Sequence, residues 1–204
     1  MPVSTPAPNA NTSFLGDIDL EELRKVNPDV IGWITIPGTS LSYPLVQGED
    51  NQYYLDHTWK KAKNVVGAIY LDYRNNPMMG DFNSIIYGHR MSSDSMFNCL
   101  RYYKNSDYWK KHPSIYIVTD EGVLCYDVFA AYEADVVNGH TYRLGLKEAD
   151  GQQAYINYCS RRSLVKSGVI PRPGDHIITL STCVGNGSGY DTRWVVQAVR
   201  SPSI

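Results

Sequence analysis

Cys183 is the residue of this chain whose surroundings best suit a nucleophile. It ends the apolar run Ile177-Ile-Thr-Leu-Ser-Thr-Cys183, and the next seven residues, Val184-Gly-Asn-Gly-Ser-Gly-Tyr190, include three glycines. A strand end beside a glycine-rich loop holds a side chain on a rigid scaffold and leaves it open to a substrate. The pattern therefore favours a reactive thiol at this position.

The other three cysteines lie where a structural role is the ordinary one. Cys125 is in the middle of an apolar run, and Cys99 and Cys159 are in helical segments beside apolar residues. Such cysteines usually pack as small hydrophobic residues. The four cysteines form no Cys-x-x-Cys pair, have no histidines at zinc-ligand spacing and do not resemble a disulfide framework. We also find no acidic cluster suited to calcium, so we predict no metal site and no cofactor.

A cysteine nucleophile needs a partner for its proton, because the thiolate is the attacking form. A histidine can take that proton and later give it to a leaving amine. His89 suits this role best among five histidines, since it follows the apolar run Ser84-Ile-Ile-Tyr87 and one glycine, at a predicted strand exit. For the other four, a solvated loop histidine is the ordinary interpretation. These are His57, His112, His140 and His176.

Arg193 is the candidate for holding negative charge on a substrate. It opens the apolar run Arg193-Trp-Val-Val-Gln197, ten residues after Cys183. Two strands joined by the glycine-rich loop would bring both side chains to one end of a sheet. A guanidinium stays charged and offers a rigid fork of donors. On spacing alone, an ordinary surface arginine on a strand is the alternative.

The elements that must position these residues are mostly short strands with a few helices between them. Helical patterns include a short segment that Asp17 or Asp19 can cap and that ends near Pro28, and two others over 96–103 and 149–160. Strand patterns cover 30–36, 41–46, 65–71, 84–87, 115–119, 123–132, 176–182 and 194–199. This order predicts a mainly β fold, a barrel or closed sheet with helices in the connections.

Composition limits the class of protein further. The chain has 204 residues, 43% of them hydrophobic and 20% charged, and a net charge of -2, which indicates a globular domain and disfavours nucleic acid as a partner. Tyr outnumbers Phe by 16 to 4, which suits half-wet grooves that hold polar ligands. We expect residues 1–16, rich in Pro, Ser, Thr, Asn and Ala, to be a flexible linker before one domain over 17–204. We interpret Met1 as an artificial start within that linker.

The residues around the candidate nucleophile resemble the sortases. Thr179-Leu-Ser-Thr-Cys183 followed by Arg193 is similar to the sortase active-site signature, and Tyr87-Gly-His89 resembles the segment that carries the sortase histidine. The separation of 94 residues between His89 and Cys183 is similar to that of class B members. The cysteine motif with its arginine is specific, whereas Gly-His alone is a weak signal.

Stretches outside the active-site motifs also resemble the class B sortases in particular. The stretches Asn27-Pro-Asp-Val-Ile-Gly-Trp33 and Tyr43-Pro-Leu-Val-Gln47 are similar to it, as are Asp50-Asn51 and Tyr54-Leu55. So is the helical segment ahead of the cysteine strand, which distinguishes class B from the shorter classes. The resemblance covers nearly the whole chain and implies an eight-stranded β-barrel with an N-terminal helix and a helix before the cysteine strand.

The resemblance implies a cysteine transpeptidase. Cys183 would attack the carbonyl at the Thr of the C-terminal sorting signal of a surface protein, so that the bond after Thr is cleaved. An amine would then resolve the resulting thioester. His89 would be the acid and base, and Arg193 would orient the substrate and stabilise the oxyanion. A neutral Cys–His pair and an ion pair are both compatible with the sequence.

Three further positions are expected to contact the substrate. Ser181 and Thr182 precede the nucleophile, and alternation along a strand puts Ser181 on the same side as Cys183. Tyr142 falls where class B enzymes place an aromatic contact, with an ordinary loop tyrosine as the alternative. Val184 departs from class B members that carry an acidic residue after the cysteine, so no role of that acid is carried over.

The resemblance also implies partners and a location. We expect surface proteins with an Asn-Pro-x-Thr-like or related sorting signal, and an amine from a peptidoglycan precursor or a pilin lysine. Sortases are held at the outer face of the membrane of Gram-positive bacteria by an N-terminal hydrophobic helix, which we expect upstream of Met1. The chain itself has no run of about 18 apolar residues.

Other interpretations agree less well with the order of the residues. L,D-transpeptidases have a His and a Gly close before the cysteine, where this chain has Ser181 and Thr182. Papain-like enzymes place the cysteine before the histidine, the reverse of the order here. A non-catalytic barrel that binds surface peptides would not need Cys183, His89 and Arg193 together.

Overall fold

The short apolar runs of the sequence form eight β-strands that close into one barrel. The computed structural model describes residues 15–91, 93–183 and 192–202, and of Cys183 only the backbone. The strands are β1 Val30–Thr35, β2 Ser42–Val46, β3 Ile69–Leu71, β4 Asn83–His89, β5 Ser114–Thr119, β6 Gly122–Asp135, β7 Ile177–Cys183 and β8 Thr192–Arg200. Around the barrel the order is β1-β2-β3-β4-β7-β8-β6-β5, and β5 pairs with β1. The predicted eight-stranded barrel is confirmed.

The barrel interior is filled by aliphatic side chains that alternate along the strands, as small barrels require. Fully buried residues from six strands meet there. These are Ile34, Leu45, Ile86, Ile117, Leu180 and Val196. Because alternate residues of a strand face opposite sides, the neighbours of these residues point away from the interior and need a second cover.

The helix ahead of the cysteine strand provides that cover on one side. Its residues Tyr155, Ile156 and Cys159 pack with Phe129 of β6 and Ile177 of β7 in a second core cluster. This helix, α3, spans Ala149–Arg162. It confirms the predicted helix before the cysteine strand and explains why β6, β7 and β8 are buried on both faces.

The N-terminal helix, α1, spans Leu20–Val26. Asp19 caps it by accepting a 3.0 Å hydrogen bond from the backbone N of Glu22, which satisfies a donor left unpaired at the helix start. Its buried Leu20 packs against Val30 and Val46. The predicted helix is confirmed, with Asp19 rather than Asp17 as the cap.

Three segments differ from the sequence-based expectation. The strand expected over 65–71 is reduced to β3, because Val65 is 77% exposed and Gly67 takes a left-handed φ of +63. The segment expected as a helix from 96 is a 3-10 helix, Phe97–Lys104. A short helix that we did not predict, α2 (Ser106–Lys111), follows it and is capped by Asn105.

Within the described residues, no helix is both long enough and apolar enough to cross a membrane. The expected linker over 1–16 and the glycine-rich loop after Cys183 lie, apart from residues 15 and 16, outside the described part of the chain.

Candidate active site

His89 and Cys183 are the last residues of two neighbouring parallel strands. β4 and β7 pair in register from Asn83↔Ile177 to His89↔Cys183. Neighbouring strands lie about 4.8 Å apart. The fold thus brings two residues that are 94 positions apart in the sequence next to each other at one edge of the barrel. Strand carboxyl ends are where parallel sheets present functional groups.

Arg193 lies on the other side of the cysteine strand. β7 and β8 are antiparallel, with Ile177↔Val199 at one end of the ladder and Ser181↔Val195 at the other. Continued by two residues, this register sets Arg193 opposite Cys183. Arg193 is half-buried and pairs with Ala134 of β6 on its far side, so β6 fixes its backbone beyond the end of the β7–β8 ladder.

Thr182 ties the cysteine strand to the arginine strand. Its hydroxyl accepts a 3.1 Å hydrogen bond from the backbone N of Trp194 and donates to the carbonyl of the same residue at 3.2 Å. The side chain therefore extends the β7–β8 contact beyond the regular ladder. Its hydroxyl is engaged in positioning Arg193 relative to Cys183, so a contact of Thr182 with substrate would involve its methyl group or backbone.

The half-buried ring of His89 is held by a neighbouring turn. Its Nε2 lies 2.6 Å from the backbone carbonyl of Leu55, the last residue of a 3-10 helix, Tyr53–Leu55. The residue before His89 is Gly88, and a Cβ there would lie 2.8 Å from Phe97. Gly88 thus allows the Phe97 ring to pack directly against the backbone that carries His89.

A groove of about 400 Å³ opens at this edge of the barrel. Four of the predicted site residues line it, namely Tyr142, Ser181, Thr182 and Arg193. A second part of the lining, which we call the tyrosine wall, consists of Asn51, Leu55, Tyr70 and Tyr87. We did not predict a role for this wall, although Asn51 and Leu55 belong to stretches that resemble class B and the high tyrosine content pointed to such a groove.

Tyr142 and Ser181 meet within the groove. Their hydroxyl oxygens are 3.0 Å apart, although the two residues are 39 positions apart in the sequence. Tyr142 is the last residue of a 3-10 helix, His140–Tyr142. The structure therefore places Tyr142 against the cysteine strand.

A buried polar network anchors the turn that carries Tyr142. The Tyr155 hydroxyl donates to the carbonyl of Thr141 at 2.9 Å, and Asn83 Nδ2 donates to the same carbonyl at 3.4 Å. Gln197 Nε2 donates to the Tyr155 hydroxyl at 2.7 Å. Buried polar groups that are satisfied in this way rigidify the structure around them, so Tyr142 is presented from a firm base.

Comparison with known proteins decides the family. Residues 34–201 match the family model described as "Sortase domain". The chain belongs to the sortase family. It is 36% identical over 192 residues to Sortase B of Listeria monocytogenes, covering 92% of this chain and 77% of that protein. It is 33% identical over 178 residues to Sortase B of Staphylococcus aureus, covering 87% and 72%.

Solved structures agree with this assignment. The crystal structure of S. aureus sortase B has a TM-score of 0.85 and 32% identity, covering 90% of this chain and 87% of that chain. Clostridium perfringens sortase B has a TM-score of 0.82 and 28% identity, covering 90% of this chain and all of that chain. This sortase is therefore of class B, a class of cysteine transpeptidases.

The tyrosine wall of this sortase's groove is held by a buried carboxylate. Asp72 is fully buried, and its Oδ2 accepts hydrogen bonds from Asn51 Nδ2 at 2.9 Å and from the Tyr87 hydroxyl at 3.1 Å. Arg74 binds the same carboxylate through Nε and Nη2, at 2.9 and 2.8 Å. Burial alone would raise the pKa of Asp72, but the hydrogen bonds from Arg74 and Asn51 outweigh it and lower that pKa.

Tyr87 donates its hydroxyl proton to the Asp72 carboxylate. Burial, together with the adjacent Asp72 carboxylate, raises the pKa of Tyr87 far above its usual value. Because this proton is given to Asp72, the Tyr87 hydroxyl offers the groove a hydrogen-bond acceptor, beside the hydroxyls of Tyr142 and Ser181. Such a surface suits the amide groups of an extended peptide, which need both donors and acceptors.

The other cysteines of this sortase have structural environments. Burial raises the pKa of Cys99 to about 12 and that of Cys159 to about 11, so both stay as thiols at neutral pH. Cys125 is half-buried, and its Sγ lies 3.7 Å from the Ser201 hydroxyl. None of the three is among the residues that line the groove.

The remaining histidines differ partly from the expected solvated loop residues. His112 and His176 are half-buried, and the Nδ1 of each meets a backbone carbonyl, of Pro37 at 2.8 Å and of Asp81 at 3.0 Å. His57 stacks on Tyr53 with ring centroids 4.1 Å apart. These contacts with backbone carbonyls and with the Tyr53 ring withdraw the three histidines from full solvation; of the four, only His140 is exposed as expected.

A second concavity, also of about 400 Å³, lies between the start of α1 and the end of β5. Its lining includes Asp17, Asp19, Glu21 and Asp120 but neither a cysteine nor a histidine. Asp120 is paired with Arg24 at 2.8 Å. In the described part of the chain, no group of three or more His, Cys, Asp or Glu residues is arranged to hold a metal. The groove beside His89 is therefore the better candidate for the active site.

The contact between Tyr142 and Ser181 yields a prediction for substrate affinity. We expect Tyr142→Phe and Ser181→Ala each to raise KM for a sorting-signal peptide about threefold to tenfold, because a hydrogen bond is worth about 0.5–1.5 kcal/mol. If the two hydroxyls act together, the KM of the double variant is no higher than the KM of the more impaired single variant. Steady-state kinetics of all four proteins test this.

Tyr158→Phe serves as the matched control, since Tyr158 is half-buried on α3 beside His140. It should keep the KM of the unmodified protein. Fully additive effects of Tyr142→Phe and Ser181→Ala would show that the two hydroxyls act independently and that their contact does not shape the groove.

Proposed function

We propose that this sortase cleaves the C-terminal sorting signal of surface proteins after Thr and transfers the new carboxyl end to an amine of the cell wall. The observation that carries the proposal is the register of three strand ends. β4, β7 and β8 bring His89, Cys183 and Arg193 side by side at the edge of a groove. A thiol, a proton carrier and a fixed cation are the groups that acyl transfer through a thioester requires.

The first half of the reaction forms the acyl-enzyme. His89 holds the proton of Cys183 while the thiolate attacks the carbonyl carbon of Thr. Negative charge then develops on the oxygen of that carbonyl. Arg193 stabilises this oxyanion with its fixed donors. His89 then gives the proton to the departing amine, the C–N bond breaks, and a thioester on Cys183 remains.

The second half transfers the acyl group. An incoming amine loses a proton to His89 as it attacks the thioester carbonyl, and Arg193 again faces the developing oxyanion. The C–S bond breaks, and Cys183 regains its proton from His89. The resting pair is either neutral or an ion pair, and both give the same balance of protons over one cycle.

The groove is proposed as the seat of the sorting signal. A related S. aureus sortase B, 32% identical, has been solved as a sortase B–substrate complex, and a sortase B of 32% identity has been solved complexed with triglycine. We extend to this chain the ability to hold a peptide substrate. Tyr142, Ser181 and Tyr87 offer hydroxyl partners for its amides.

Membership of the sortase family is the basis for proposing a cellular location and a domain organisation. We propose one catalytic domain over 17–204, held at the outer face of the membrane of a Gram-positive bacterium by a helix upstream of Met1, with 1–16 as a linker. The proposed acceptor is the amine of a peptidoglycan precursor; a pilin lysine is the alternative acceptor.

Product analysis tests the proposed function. The protein is incubated with peptides of the Asn-Pro-x-Thr and Leu-Pro-x-Thr kinds, each with triglycine, with a lysine-containing peptide, or with no added amine. We expect cleavage after Thr and a product extended by the added amine, preferentially triglycine. Preference for the lysine peptide would favour pilin polymerisation. Cleavage at another bond, or no cleavage of either peptide by a protein whose Cys183 reacts with a small thiol reagent, would contradict the proposal.

A further inference from the structure

The ring of His89 is bound by a group that can only accept a hydrogen bond. Nε2 of His89 lies 2.6 Å from the backbone carbonyl oxygen of Leu55. A carbonyl has no hydrogen to donate, so this short contact requires a hydrogen on Nε2. In the neutral ring the other nitrogen, Nδ1, is then the one with a lone pair, because only one nitrogen of neutral imidazole is protonated.

Gly67 lies against both partners of this hydrogen bond. A Cβ at position 67 would be 2.8 Å from the Leu55 carbonyl oxygen and 2.9 Å from Cδ2 of His89, and 2.6 Å from the Tyr54 carbonyl oxygen. All three distances are below 3.0 Å, which real Cβ atoms essentially never show. Gly67 also has a φ of +63, which residues other than glycine rarely adopt.

The backbone that carries the Leu55 carbonyl is itself anchored. The Tyr54 carbonyl accepts a 3.0 Å hydrogen bond from the backbone N of Ala68. The fully buried Tyr54 side chain donates from its hydroxyl to Asp29 at 2.6 Å and accepts from Asn27 Nδ2 at 2.8 Å. The 3-10 helix Tyr53–Leu55 is therefore fixed to the loop before β3 and to the residues that follow α1.

We propose that the Leu55 carbonyl and Gly67 are positioning elements of the reaction, which together hold His89 as the Nε2–H tautomer so that Nδ1 exchanges the proton with Cys183 and the leaving amine. The inference rests on the proposed function and adds which nitrogen acts and what selects it. Gly67 acts through the Leu55 carbonyl and the His89 ring, because any side chain there must displace one of them.

The tautomer is tested directly by nitrogen NMR. Cys183→Ala protein labelled with ¹⁵N is titrated to a pH at which the His89 ring is neutral, and the two ring nitrogens are assigned through their couplings to the ring protons. We expect the hydrogen on Nε2 and a lone pair on Nδ1. A neutral ring with its hydrogen on Nδ1, or an even mixture of tautomers, would overturn the proposal. This result does not depend on whether the protein is a transpeptidase.

Kinetics of a glycine pair test the role of Gly67. Gly67→Ala should lower kcat about 100-fold, since a misplacement of about 1 Å in a reacting group can have an effect of this size. Gly168→Ala is the matched control, because Gly168 also has a positive φ, +78, but a Cβ there meets nothing within 4 Å. Gly168→Ala should keep kcat within about twofold of the unmodified protein.

The split between kcat and KM separates positioning of His89 from a mere change of groove shape. A rise in KM with kcat unchanged, or equal losses in Gly67→Ala and Gly168→Ala, would contradict a positioning role. Circular dichroism and the reactivity of Cys183 with a small thiol reagent establish that each variant is folded. If Gly67→Ala does not fold, the NMR experiment on the chain with Gly67 intact still decides which ring nitrogen carries the hydrogen, and thus whether the Leu55 carbonyl selects the tautomer.

Discussion

Cys183→Ala is expected to abolish turnover of sorting-signal peptides, with a loss of about 10³-fold or more. The carbonyl carbon then has no thiolate to attack it, and neither His89 nor Arg193 can form the covalent intermediate. Peptide binding should persist, because the groove walls are built from other residues. Steady-state cleavage assays and a direct binding measurement on the same variant check both halves of this expectation.

Cys125→Ala is the matched control for thiol removal. Cys125 is half-buried on β6 and does not line the groove, so its substitution should leave kcat within about twofold of the unmodified protein. Residual cleavage by Cys183→Ala at more than about 10⁻² of the original rate would assign the nucleophile to another residue.

Arg193→Ala is expected to lower kcat by about 10²–10³-fold, the range seen when one oxyanion donor is removed. The fold should be retained, because the backbone of Arg193 is paired with Ala134 of β6 and Thr182 still holds Trp194. Arg193→Lys should recover only part of the loss, since an ammonium keeps the charge but lacks the rigid fork of donors. Single-turnover kinetics of thioester formation measure this effect.

Arg200→Ala controls for the loss of a cation on the same strand. Arg200 is the last residue of β8, at the opposite end from Arg193, so its removal should leave thioester formation unchanged. If thioester formation in Arg193→Ala is as fast as in Arg200→Ala and in the unmodified protein, Arg193 does not face the reacting carbonyl. An equal drop in both variants, with lowered thermal stability, would indicate a structural role of β8 charges.

The sequence patterns predicted the barrel well, because its strands are apolar runs separated by turn residues. The runs around Ile34, Ile117 and Val196 became strands in which these three residues are fully buried. The pattern misled at Val65, where an apolar residue before Gly67 suggested a longer strand; the left-handed backbone at Gly67 prevents regular pairing there. Helix α2 was missed because its six residues, Ser106–Lys111, are too few to show a helical period.

The tyrosine wall of the groove could not be derived from local patterns. Leu55 precedes His89 by 34 residues, and the contact between them depends on how the 3-10 helix at Tyr53 folds back toward β4. The hold of Asp72 on Asn51 and Tyr87 likewise joins three separate segments. By contrast, Cys183 and His89 were recognisable because each follows an apolar strand, a signal that lies within a few residues.

Gly67 illustrates the same limit from another side. In the sequence it is one glycine in an apolar stretch, and its φ and its closeness to His89 emerge only from the fold. A positive φ alone is shared with Gly168 and others, so the contact with His89 is what distinguishes Gly67.

The role of Cys183 as the nucleophile is tested most directly by intact-mass spectrometry of the protein mixed with an Asn-Pro-x-Thr peptide or a Leu-Pro-x-Thr peptide, before and after triglycine is added. We expect an adduct on Cys183 whose mass corresponds to the peptide up to and including Thr, and we expect it to disappear on addition of triglycine as the extended peptide is released. An adduct on a residue other than Cys183, or peptide cleavage that proceeds with no adduct even when the reaction is rapidly quenched, would contradict this role of Cys183.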